Sequence, residues 1–210
     1  MFRRLGFTMI ELLIVISVLG ILAVAVLAAI NPIEQINRGK DTGYRSDSEQ
    51  LLSGIDRYYA GKGYYPWVSG ESITNNKTDP NANGVVDLVE LVTETTDVGA
   101  EVAAVPMLTN LSTGGASELK SSFITRIVDT AYVGLSIYNN GTSGSSTYMC
   151  FIPKSSSFRD EAWKRCTNPG HTARSTTLPS DFPKTLACPD TACATAGTAE
   201  AATGCYSCLP

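Results

Sequence analysis

Five oxygen-bearing side chains are spaced as calcium would require. Asp79, Asn81, Asn83, Asp87 and Glu90 take the first, third, fifth, ninth and twelfth places of Asp79-Pro80-Asn81-Ala82-Asn83-Gly84-Val85-Val86-Asp87-Leu88-Val89-Glu90. That is the pattern D-x-[DN]-x-[DN]-G-x5-E of a calcium-binding loop. Calcium takes six to eight hard oxygens, so a backbone carbonyl at the seventh place (Val85) and a bidentate carboxylate at the twelfth (Glu90) complete the expected set. Gly84 supplies the sharp turn, and Val86 is the apolar residue that ties such a loop to a neighbour. Asparagine at two of the five places leaves three carboxylates, which predicts weak affinity, about 10⁻⁴ to 10⁻³ M, as in extracellular modules. Ca²⁺ is therefore expected as a structural ion that stiffens a loop. Leu88 to Thr96 reads as a short exiting helix, whereas Thr74 to Thr78 is too polar for an entering one. The competing reading is an Asn-Gly turn in a polar linker.

Six cysteines, Cys150, Cys166, Cys188, Cys193, Cys205 and Cys208, all lie in the last third of the chain. The last four form two close pairs, a spacing that zinc also uses. Disulfides are the favoured reading wherever this part of the chain sits in an oxidising compartment. Cys150 ends a predicted strand and Cys166 follows the helical segment Phe158 to Lys164, so Cys150 and Cys166 are the expected pair. Pairing among the remainder stays open, since six cysteines allow about fifteen connectivities. Catalysis has little to stand on. The single histidine, His171, lies in the turn-like Asn168-Pro169-Gly170-His171-Thr172, with no nucleophile motif beside it and no phosphate-binding glycine loop elsewhere. No enzyme is indicated.

The last chemical feature is one carboxylate, Glu11, near the start of an apolar run from Phe7 to Ile30. A charge in such a segment is costly and calls for a partner. Leu12 to Ile30 is broken only by Ser17 and Gly20, and at about 1.5 Å per residue it spans roughly 30 Å, enough to cross a bilayer. A secretory signal would place its cleavage site after the apolar core. Here Arg3-Arg4-Leu5-Gly6 precedes it directly, and the partner that suggests itself is an α-amino group made by cutting after Gly6.

Arg3 to Ile30 resembles the prepilin signal of type IV pilins and of the pseudopilins of type II secretion, and a weaker likeness extends to about Trp67. The resemblance implies a prepilin peptidase that cuts between Gly6 and Phe7 and methylates the new amine. It also implies that Glu11 neutralises the Phe7 amine of a neighbouring subunit during assembly. Gly63-Tyr64-Tyr65-Pro66-Trp67 looks like the G-x-Y-P turn that follows the long helix in many family members. The family usually carries its helix-kinking proline a turn before Pro32, where this chain has Ala28.

The elements that must carry these groups follow from periodicity. Asn31-Pro32 interrupts the first helix near Ile30. Ile33, Ile36, Tyr44, Leu51, Leu52, Ile55, Tyr58 and Tyr59 then recur at helical spacing, with Glu34, Arg38, Lys40, Asp41, Arg45, Asp47 and Glu49 on other faces. Gly39 and Gly43 weaken that helix near its start, and Gly61, Gly63 and Pro66 end it. Glu118 to Ile127 reads as another helix. Thr130 to Tyr138 and Thr147 to Pro153 read as a hairpin around a long Gly/Ser/Asn loop. The fold class expected is α+β: a long N-terminal helix, half membrane-spanning and half amphipathic, packed under an antiparallel β-sheet head. The divisions are a leader (1–6), a membrane or filament-core helix (7–31), its amphipathic continuation (32–62), a globular head (63–167) and a cysteine-rich irregular tail (168–210) held by cross-links and not by a core.

Charge agrees with this reading. Removing the leader leaves 14 basic against 20 acidic side chains, a formal balance of −6, with no basic footprint for strong nucleic-acid binding. Leader arginines place the N-terminus in the cytoplasm and the bulk of the chain outside. The expectation is a structural subunit, first a single-pass precursor in the inner membrane and then part of an extracellular filament. Its implied partners are prepilin peptidase, the inner-membrane assembly machinery and further copies of itself in a helical homopolymer. The alternatives are a pseudopilin of a type II secretion system and a non-polymerising membrane-anchored binding domain.

Overall fold

The structure is a computed structural model, and it describes residues 6–29, 31–67, 86–90, 107–113, 117–128, 135–139, 145–169, 175–194 and 196–210, with side chains at 28, 29 and 86–90 excluded. The chain divides into two compact units, Met1–Ile36 and Asn37–Pro210.

The first unit contains α1 (Met9–Ala29) and the first turn of α2 (Pro32–Lys62). Helix α1 is apolar all round, and its described side chains are exposed throughout. Beyond Glu11 its apolar run is broken only by Ser17 and Gly20: Ser17 Oγ donates to Ile14 O at 2.8 Å, and a side chain at Gly20 would meet nothing within 4 Å. The break before α2 is a cap followed by a fresh start. Asn31 Oδ1 accepts from Glu34 N at 3.3 Å, and Pro32 opens the helix where its missing N–H costs nothing. Ile33 and Ile36, expected beneath the head, are exposed instead.

In the second unit α2 runs unbroken through Gly39 and Gly43 to Lys62. Gly63 then adopts φ +78° while its N–H returns to Tyr59 O at 2.8 Å, a left-handed stop that glycine takes without steric cost. The remaining elements are β1 (Val86–Glu90), α3 (Met107–Ser112), α4 (Ser121–Ile127), β2 (Leu135–Asn139), β3 (Thr147–Phe151), α5 (Ser156–Cys166), α6 (Lys184–Ala187), a π-helical turn at Asp190–Ala194 and β4 (Ser207–Leu209). The strands form one antiparallel sheet in the order β1-β2-β3-β4.

Alternation along β3 explains how the sheet is buried on both faces. Met149 and Phe151 join Leu135 and Ile137 of β2 against Tyr44, Leu51, Leu52, Ile55 and Tyr58 of α2. Tyr148 and Cys150 point to the opposite face, where Trp163, Phe182, Ala187, Ala202 and the other cystines form a second apolar cluster. The tail therefore does have a core, contrary to the sequence expectation. Its cystine sulfurs and small apolar residues supply the buried volume that a periodic hydrophobic pattern would otherwise announce.

Three further expectations are corrected. Leu88 to Glu90 belong to strand β1 and not to a helix, because Val89 and Glu90 pair with Ile137 and Ser136 at the edge of β2 and Val86 with Asn139, with a register slip between Val86 and Val89. Helix α4 starts at Ser121 and not at Glu118. Arg57 holds Glu118 by its carboxylate at 2.9 Å and its carbonyl at 3.0 Å, while Leu119 N bonds Leu111 O, which keeps this stretch out of the helix. Asp41 and Asp47, placed on faces other than the apolar stripe, are nonetheless buried. Asp47 takes Arg126 bidentately at 2.7 and 2.8 Å. Asp41 accepts from Lys154 N, Ser155 N and Ser155 Oγ, so it clasps the entry to α5.

Candidate functional site

Gly6, Phe7 and Glu11 come together at the head of α1. Residues 6–8 are non-helical and exposed, Phe7 is 78% exposed, and a side chain at Gly6 would meet nothing within 4 Å. The Gly6–Phe7 peptide is thus presented in the irregular, accessible form that a peptidase needs, immediately before the backbone closes into helical hydrogen bonds.

Thr8 and Glu11 form a reciprocal cap. Thr8 N and Thr8 Oγ1 both donate to Glu11 Oε2, at 2.9 and 2.7 Å, and Glu11 N donates to Thr8 Oγ1 at 3.3 Å. This capping box satisfies donors that a helix start leaves unpaired, and the carboxylate also suits the positive end of the helix dipole. Sequence reasoning passed over it, although Thr-x-x-Glu before an apolar run is its signature. The geometry leaves Glu11 Oε1 without a partner among the described residues. Phe7, whose amine cleavage after Gly6 would free, is the residue immediately before the capping Thr8. The arrangement therefore orders the carboxylate on one side and keeps the other available.

The calcium-loop residues are only partly placed. Asp79, Asn81, Asn83 and Val85 lie outside the described residues, as does His171, while Asp87 and Glu90 are carried on β1. The last five places of that loop, Val86–Glu90, are themselves strand β1. The backbone of its last positions is held by β2, with Val89 opposite Ile137 and Glu90 opposite Ser136.

All six cysteines are in bridges, and the expected Cys150–Cys166 pair is not among them. Strand β4 sets Cys208 directly opposite Cys150 on β3, with Cα atoms 4.0 Å apart, which commits Cys150 to that partner. Cys166, at the end of α5, joins Cys188, and Cys193 joins Cys205. The tail is pinned further by Trp163 Nε1 to Ala196 O at 3.2 Å, by Tyr206 N to Ala187 O at 3.0 Å, and by Arg165 donating to Cys208 O. Asp181 anchors it to the head, accepting from Ser146 N at 2.9 Å and Tyr148 OH at 3.2 Å. Ser146's N–H holds the Asp181 carboxyl below its ordinary range, against a smaller opposing effect of burial.

Residues 1–27 match the family model of the prokaryotic N-terminal methylation motif. That motif is the prepilin-type signal of type IV pilins and pseudopilins, so the chain carries this signal and is pilin-like or pseudopilin-like. The signal implies processing by prepilin peptidase. The described residues contain one helix long and apolar enough to cross a membrane, Met9–Leu27, which fits a membrane-anchored precursor. No curated protein and no solved structure matches the chain.

Proposed function

We propose that the chain is a structural subunit of a type IV pilus-like extracellular filament. Prepilin peptidase cuts between Gly6 and Phe7, α1 holds the mature subunit in the cytoplasmic membrane, and the inner-membrane assembly machinery passes it into a helical homopolymer. The observation that carries this reading is the head of α1, where an accessible Gly6–Phe7 bond sits beside a carboxylate ordered by Thr8. A helix apolar on every side needs apolar surroundings, and both a bilayer and a filament core supply them. Exposed Ile33 and Ile36 extend the apolar surface past α1. The three-bridge head favours a long-lived fibre outside the cell over a short secretion pseudopilus.

Glu11→Ala tests the mechanism. Membrane insertion should be intact or improved, because a carboxylate at depth costs a few kcal/mol on insertion scales. Assembly should fail, because stranding one partner of a buried pair costs about 3–5 kcal/mol at every subunit. Membrane fractionation reads the first effect, and electron microscopy with intact-mass analysis of sheared filaments reads the second. Normal filaments from Glu11→Ala, or a native subunit that keeps its leader beside an active peptidase, would refute it.

The reading includes a structural calcium held by Asp79, Asn81, Asn83, the Val85 carbonyl, Asp87 and Glu90. Millimolar calcium should then raise the melting temperature of the full chain in detergent by mass action, and Glu90→Ala should abolish the rise. An unchanged melting curve for the native sequence would leave the Asn-Gly turn as the better account.

A further inference from the structure

Two of the bridges lie closer together than independent staples require. The Sγ atoms of Cys166, Cys188 and Cys193 all lie within 4.8 Å of one another, although Cys166 is bonded to Cys188 and Cys193 to Cys205. All three residues are fully buried. Cys193 thus sits within 4.8 Å of both sulfurs of a disulfide that is not its own. Thiol–disulfide exchange needs that encounter, a thiolate reaching one sulfur while the other leaves.

Local structure holds the three sulfurs there. Cys166 ends α5, Cys188 caps α6 by donating its N–H to Lys184 O at 3.2 Å, and Cys193 sits in the π-helical turn, its N–H on Pro189 O at 2.8 Å. Chain order gives the cluster a task. The native bridges here span 22 and 12 residues, whereas Cys188 and Cys193 sit closer in sequence than either pair. The shorter loop loses less entropy on closing, so this local bridge competes early.

We propose that Cys166, Cys188 and Cys193 form an internal exchange triad that converts a local Cys188–Cys193 bridge into the native pairing. The Cys166 thiolate attacks Cys188 Sγ. The Cys166–Cys188 bond forms, the Cys188–Cys193 bond breaks, and its electron pair leaves on Cys193 as thiolate. This step is redox-neutral. Cys193 and Cys205 then give up two electrons and two protons to an external disulfide, which is reduced to a dithiol, and the last bridge closes.

The reverse encounter can be read in full-length Cys205→Ser, purified in detergent, which leaves one bridge and one thiol among the three sulfurs. After incubation at pH 8 the sample is quenched in acid, unfolded, labelled with a maleimide and mapped. The label should be shared between Cys193 and Cys166, at a rate independent of protein concentration. That rate should rise about tenfold per pH unit below the thiol pKa. Label confined to Cys193 overturns the proposal. Label on Cys150 or Cys208 also overturns it, since that requires scrambling through unfolding. A second experiment uses oxidative refolding of Cys166→Ser, which should accumulate the Cys188–Cys193 bridge because the attacking thiolate is gone. Its absence among acid-trapped species overturns the proposal independently.

Discussion

The bridge between β3 and β4 should contribute most to the stability of the head. Cys150 and Cys208 are separated by 58 residues, against 22 and 12 for the other two bridges. In the chain-entropy account a 58-residue loop is worth about 4 kcal/mol and a 12-residue loop about 3. The difference should widen in practice, because β4 is only three residues long and, among the described residues, pairs with β3 alone. Without the bridge, what holds it among the described residues is strand pairing, the Arg165 contact to Cys208 O, the neighbouring Tyr206 N–H on Ala187 O and the packing of Leu209. For a unit of this size each kcal/mol moves the melting temperature by roughly 2–4 °C, so Cys150→Ala/Cys208→Ala should melt about 8–16 °C lower. Scanning calorimetry of the full chain in detergent measures this, with Cys193→Ala/Cys205→Ala as the comparison. A smaller shift for the first pair than for the second would refute the reasoning, as would disulfide mapping that joins Cys150 to Cys166.

Two further perturbations probe the polar clasps. Asp41→Ala orphans the N–H groups of Lys154 and Ser155 and the buried Ser155 hydroxyl, and should cost about 3 kcal/mol or more in denaturant unfolding, because each stranded buried donor costs about 1–3; a change under about 1 kcal/mol would show that water or a shifted loop replaces the carboxylate. Asp181 has a depressed carboxyl in the folded chain, so its contribution is present above its ordinary value of 3.8 and is lost as the pH falls below it. The melting-temperature gap between native protein and Asp181→Asn should therefore be open at pH 6 and narrow progressively as the pH falls below 3.8, and a gap constant across that fall would refute the assignment.

What the sequence made legible was local. Helix α1 follows from nineteen nearly unbroken apolar residues, Pro32 marks a helix start, and the stripe from Tyr44 to Tyr58 faces the core as its spacing requires. Strands β2 and β3 were visible through alternation, though their edges moved. The illegible parts depend on partners distant in sequence. Ser207-Cys208-Leu209 is too short to show a period, so nothing local reveals that it places Cys208 opposite Cys150. The run Val85-Val86-Asp87-Leu88-Val89 suits helix or strand, and the open edge of β2 decides. Asp41 and Asp47 look like solvent-face charges until the chain returns with Ser155 and Arg126 more than seventy residues later. The Thr8–Glu11 cap is the opposite case: it is entirely local and was readable.

That cap changes how the membrane charge should be understood. An isolated carboxylate in an apolar segment is held at a cost that selects for any available cation. Glu11 is not isolated, because Thr8 gives it two hydrogen bonds through one oxygen and takes one back from its N–H. The helix start and the carboxylate thus satisfy each other before any second subunit arrives, which lowers the cost of waiting in the bilayer. Under the filament reading, cleavage after Gly6 leaves Thr8 and Glu11 untouched and adds a single cation at Phe7, while the cap leaves one oxygen of Glu11 unused among the described residues. Under the filament reading, the driving force for a charge pair then appears only when the leader is removed. On that reading the leader would act as a chemical block on pairing as well as an address, with processing and assembly ordered by the same carboxylate.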